Sequence, residues 1–250
     1  MSVGMATQWL ALALCVIFAA IRLPEAIRGR GRSVFAVLVL LCVAVALSLS
    51  PIYLFVDGIL GGTNIANLFI KFCLYTIVLL LGIRCAVAFG SERARRSIGG
   101  PLGMAALTIT VLVTLVLFVL SDLPESSTAL NAYDDQYTVL WYADIGRAYP
   151  AYVAACLLRP AFASACDGRN RTFHRVAAAM IGTGFLKVLL LTVLLLFPLD
   201  IGAASLIMPF GAIVLVTTGL TMIWLSRRRA TGRRSANFLA DEHRHPRGVD

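Results

Sequence analysis

Apolar residues in this chain come in long blocks rather than in alternation, and charged residues fall between the blocks. Seven blocks, at 3–21, 34–55, 65–83, 101–120, 137–158, 176–196 and 201–225, each come close to or exceed the roughly 20 residues that a helix needs to cross a hydrocarbon core. A backbone surrounded by lipid must satisfy its own hydrogen bonds, so each block predicts a helix. The expected fold is all-α: a polytopic domain of seven transmembrane helices over 1–225, then a basic, disordered cytoplasmic tail over 226–250. Pro24 is expected to end the first helix, because the residue before a proline avoids helical geometry.

Composition agrees with lipid as the solvent. Of 250 residues, 59% are hydrophobic and 14% charged, against about 25% charged in a soluble domain. The charges that remain carry the orientation. Nineteen of the 22 Lys and Arg residues lie in the first, third and fifth loops and in the tail, for example Arg28, Arg30, Arg93, Arg95, Arg169, Arg171 and Arg227. The second, fourth and sixth loops hold no basic residue and carry Asp57, Asp122, Glu125, Asp134, Asp135 and Asp200. The positive-inside rule then places the N-terminus outside and the C-terminus in the cytoplasm. The arginine- and alanine-rich composition suits a bacterium, and the expected location is its cytoplasmic membrane. The net charge of +9 is mostly this topology. With no folded basic domain to dock on it, nucleic acid is not an expected partner. The arginines after the last helix are expected to meet anionic lipid headgroups.

Several chemistries are excluded. The six cysteines avoid the outer loops and show no C-x-x-C spacing, so neither a disulfide framework nor a thiol redox motif is implied. There is no H-E-x-x-H, no G-x-S-x-G and no phosphate-binding glycine loop. No enzyme, metal or cofactor is expected. A retinal protein is a poor fit, because the seventh block has no lysine.

Two outer loops have character. Gly58, Gly61, Gly62, Asn64 and Asn67 mark the turn between the second and third helices, with Asn64 placed to cap the third. The longest outer loop, 121–136, is acidic and begins irregularly at Pro124 and the run Ser126, Ser127, Thr128.

The candidate site lies inside the spans. Lys71, Asp144, Arg147 and Lys187 are the four ionisable groups there, and each charge costs about 2.5–3.5 kcal/mol at the helix centre on insertion scales. By helix rise Asp144 lies about 10 Å and Arg147 about 15 Å below the outer end of their helix, and Lys187 about 16 Å from the inner end of its own. Asp144 and Arg147 are three apart and can pair. Ala148, Ala151 and Ala155 are expected to continue the same face into the bundle. Pro150 frees the carbonyl of Gly146 at this depth. Three bases against one acid invite an anionic group.

The segment 22–96 resembles a group of actinobacterial seven-helix integral membrane proteins that are uncharacterised or labelled as transporters. The likeness rests on the basic first loop, Pro51, Asp57, and Gly-Thr-Asn-Ile-Ala-Asn-Leu at 62–68 opening the third helix. In that group a sizeable cytoplasmic domain often follows the helices; here a tail stands in its place. Two functional expectations follow. The first is a binding or transport-type protein whose polar cavity, built from Lys71, Asp144, Arg147 and Lys187, accepts a small anionic ligand. The second is a non-catalytic sensor or interaction subunit whose basic tail contacts a cytoplasmic protein partner.

Overall fold

Long apolar blocks without strand alternation can satisfy their backbone only as helices, and helices are what form. The computed structural model describes the backbone of residues 3–29, 31–197, 202 and 204–244, with side chains for 5–29, 31–197, 202, 204–205 and 207–226. In chain order the helices are α1 (Val3–Ile27), α2 (Arg32–Leu47), α3 (Ser50–Ile59), α4 (Ile65–Ala88), α5 (Glu92–Gly99), α6 (Pro101–Leu120), α7 (Tyr137–Cys166), α8 (Thr172–Leu194) and α9 (Ala204–Arg244). A short 3-10 helix, Thr128–Tyr133, interrupts the loop before α7. No strand occurs among the described residues.

Five of the described helical segments are long and apolar enough to cross a membrane, and six if α2 and α3 count as one broken span. α7 has the length, at 30 residues, but Asp144, Arg147 and Arg159 dilute its apolar character.

Two local expectations change, and one loop gains structure. The second block is not one straight helix: α2 and α3 meet at 94°. Pro51 opens α3 where its missing N–H costs nothing, and Ser48 turns its hydroxyl back onto the Ala44 carbonyl at 2.8 Å. α3 then shows Phe55 and Ile59, each 71% exposed, on one side and buries Tyr53 and Asp57 on the other. Pro24 does not end α1, which continues one turn to Ile27. The basic third loop is itself structured: α5 is a short helix capped by Ser91, whose hydroxyl accepts from the Ala94 N–H. Glu92 pairs there with Arg95 and Arg96. The backbone of α9 is helical as far as Arg244; the side chains of the tail, and residues 245–250 altogether, lie outside the described residues.

Packing closes the helices into a ring. α1 packs on α2, α2 on α4, α4 on α7, α7 on α8, α8 on α9, and α9 back on α1. α6 lies outside this ring against α7, with Thr114 buried and bonded to Tyr75 of α4 at 2.8 Å. Close approach on the α7, α8 and α9 side depends on small residues, as in other membrane bundles. A Cβ on Gly184 would stand 2.6 Å from Val216, and one on Gly219 2.7 Å from Ile181 and 2.9 Å from the Ala177 carbonyl. Ala177, Ala178, Gly182 and Gly184 are buried, so the small-residue start of α8 has a packing role.

Candidate functional site

The charged groups on α7 meet α4 through a notch. Gly146 is buried, and a Cβ there would lie 2.0 Å from Lys71 Nζ and 2.9 Å from its Cε. Only a residue without a side chain leaves room for the lysine to lie against α7. The ammonium stands 4.9 Å from the centroid of the Tyr142 ring, a cation–π arrangement that offsets part of its desolvation. Both Asp144 and Arg147 act on it electrostatically. On either side of Gly146, the Arg147 Nη2 donates to Asp144 Oδ1 in an (i, i+3) ion pair. Their side chains are 31% and 36% exposed, so the pair is accessible from one side.

Three of the four expected residues therefore assemble: Lys71, Asp144 and Arg147. Lys187 does not join them. Its ammonium turns to α9, 3.2 Å from where a Cβ on Gly211 would stand. Among the described residues no hydrogen bond or ion pair links it to the other three. The reason is rotational: equal depth on neighbouring helices does not imply facing sides. The small-residue stripe on α7 is also not a single buried face. Ala151 is buried, while Ala148 and Ala155 are exposed.

The nearby tyrosines have structural duties. Tyr142 donates to Asn67 Oδ1 at 2.8 Å and Tyr152 to the Ser97 carbonyl at 2.7 Å, tying α7 to α4 and α5. Tyr149 is 1% exposed and its hydroxyl has no partner among the described residues.

A second polar centre sits above this site, at the end of the bundle that carries the acidic loops. Asp57 is fully buried. Its carboxylate accepts from the Asn64 and Ala66 N–H groups, both at 2.9 Å, and from the Ser126 hydroxyl at 2.5 Å. It thus caps α4 in place of the Asn64 side chain, which makes no cap. Asn64 instead adopts a left-handed φ of 61° and reaches outward. Its Oδ1 accepts from Tyr53 at 3.0 Å and from the Ser127 N–H at 2.7 Å, and its Nδ2 donates to the Glu125 carbonyl at 2.7 Å. The long outer loop is bolted to the α3–α4 turn by these two residues. In the sequence Asp57 stands among the acidic charges of the outer loops. A lone acid eight residues before the start of α4, across Gly61 and Gly62, is the available signal. Those glycines take φ of 102° and 70°, which bring the acid back over the helix end.

Below the charged cluster, the helix ring encloses a central cavity of about 190 Å³. Its wall is apolar, and Arg147 lies on it together with Gly146 and Pro150. Among the described residues no cluster of His, Cys, Asp and Glu is arranged to hold a metal.

No protein-family model matches the chain, and no curated protein or solved structure is significantly similar to it.

Proposed function

We propose that this is a seven-helix protein of a bacterial cytoplasmic membrane, N-terminus outside and C-terminus inside, that binds or carries a small anion at Lys71 and Arg147. The observation that carries the reading is the Gly146 notch. It seats the Lys71 ammonium beside the Asp144 and Arg147 pair, so two cations share one carboxylate within the apolar zone. One positive charge is left over when all three are ionised. In a low-dielectric setting such an excess favours an incoming anion or a neutral lysine. Asp144 holds Arg147 in place, and Lys71 supplies the free donors. Lys187 has no part in this version of the site. The span that brings the count to seven is α7, fifth in chain order, whose charges set it apart from the more apolar helices.

The test is binding and flux in proteoliposomes with chloride, acetate and phosphate as probes. Lys71→Ala and Arg147→Ala are expected each to remove the signal while the protein still elutes as a folded species. A signal that survives both substitutions, or the absence of any anion signal in the wild type, would sink the reading.

A second reading is an interaction subunit. It draws on α9, whose helical backbone continues through an arginine-rich stretch well past its apolar part at Ile207–Ser226. That reading requires a cytoplasmic protein that co-purifies with the full chain and is lost when residues 227–250 are deleted.

A further inference from the structure

The central cavity has a chemistry that the anion site does not use. It is lined by all six helices of the ring and runs along α9 from Pro209 to Thr221, about 18 Å of helix rise. Its three threonines spend their hydroxyls on their own helices. Thr192 donates to the Val188 carbonyl at 2.9 Å, Thr217 to Ile213 at 2.7 Å and Thr221 to Thr217 at 2.8 Å. What they turn to the cavity is therefore methyl, beside the valine, leucine and isoleucine side chains of the wall. Apolar cavities of this kind stay dry and take up apolar molecules, as engineered ones of about 150 Å³ do.

One end is different. Arg22 lines the cavity near the end of the bundle that carries the arginine-rich loops. It is only 7% exposed. Its guanidinium lies 5.0 Å from the centroid of the Trp224 ring, and Nη2 donates to the Leu220 carbonyl at 3.3 Å. Its Nε is buried without an acceptor among the described residues. The neighbouring acid, Glu25, takes the Trp224 indole N–H at 2.6 Å and also acts electrostatically on Arg22. At the other end of the cavity the Arg147 guanidinium is already bonded to Asp144. The cavity thus offers a long apolar body and, at one end, a buried arginine on its wall.

We infer that the ring holds a single-chain anionic amphipath of the fatty-acid class, with its carboxylate on Arg22 and its acyl chain along α9 toward Pro209. The orientation matches an inner-leaflet lipid: the head at the level of the basic loops and the chain directed toward the bilayer centre. A planar guanidinium suits a carboxylate in such a position better than a lysine would. This site uses Arg22, not Lys71, and does not depend on the anion reading.

The experiment is displacement of the fluorescent fatty acid cis-parinarate from the purified, detergent-solubilised full chain, with palmitate and methyl palmitate as competitors. Palmitate is expected to compete at least tenfold better than its methyl ester on the wild type. R22Q is expected to weaken palmitate at least tenfold and leave the ester unchanged. Ala212→Leu, which fills the cavity wall, is expected to weaken both. Equal competition by acid and ester, or unaltered palmitate affinity in R22Q, overturns the proposal. If R22Q does not fold, the acid-to-ester ratio on the wild type and the effect of Ala212→Leu decide it. Failure of the anion reading would appear separately, as chloride, acetate and phosphate binding that Lys71→Met leaves intact.

Discussion

Gly146 and Asp57 carry the most consequence for single side chains. At Gly146 the lysine end, a flexible group, occupies the space that a Cβ would take. Gly146→Ala is therefore expected to expel Lys71 from its notch while the helices stay folded. Anion binding in proteoliposomes should fall at least tenfold, with the elution profile unchanged. At Asp57 the stake is stability. The carboxylate holds two backbone N–H groups and one hydroxyl in a buried place. Hydrogen bonds to charged groups contribute about 1.5–3 kcal/mol each, and orphaned donors cost more than neutral exchange suggests. Asp57→Ala is expected to destabilise the protein by at least about 2 kcal/mol, read as a lower thermal midpoint in detergent. Protease sensitivity in the 121–136 loop should rise with it, because Ser126 loses its partner there. Asp57→Asn should fall between the two, since an amide presents one acceptor oxygen where the carboxylate presents two. The sequence marked Asp144 and Arg147 as a pair, because helix spacing alone brings (i, i+3) groups together. Depth alone groups Lys187 with them, but its ammonium turns to Gly211 of α9, because depth along an axis says nothing about rotation around it.

Helix shape follows from both local and distant causes. The 94° bend between α2 and α3 was legible only as Pro51 within an apolar run. A proline near an end permits a break without requiring one. What holds the bend is the burial of Tyr53 and Asp57 against the α4 turn and the outer loop, a tertiary arrangement. α8 and α9 meet through small residues: Gly184 and Gly219 face Val216 and Ile181 with no space for a side chain. Gly219→Val is expected to cost at least about 2 kcal/mol by overpacking and to reduce the yield of folded protein. A compensating Ile181→Ala should recover part of the loss, which a double-mutant comparison of thermal midpoints measures. The α7 helix tolerates Pro150 and Pro160 inside 30 residues. Neighbouring helices enclose that backbone, and Pro150 lies on the wall of the cavity.

Over the whole molecule, charge asymmetry is the property to test. The basic loops and the acidic loops are expected to face opposite sides of the membrane. In a cysteine-free background, Arg93→Cys should resist an impermeant maleimide on intact cells and react after permeabilisation. Asp134→Cys should react at once. The reverse pattern would invert the orientation and with it the side from which the anion enters. The closed ring of six helices, with α6 outside it, was not legible in the chain. By itself the sequence determined that the chain is helical and membrane-embedded, where its charges fall, and that Asp144 and Arg147 pair. Those properties arise from local composition and the helical repeat, which act within a few residues. The tertiary structure alone decided that Lys71 reaches α7 through Gly146, that Lys187 faces elsewhere, that Asp57 caps α4, and that Arg22 borders an apolar cavity. Each depends on the rotation and contact of helices far apart in sequence, which are set by packing against partners rather than by any one segment.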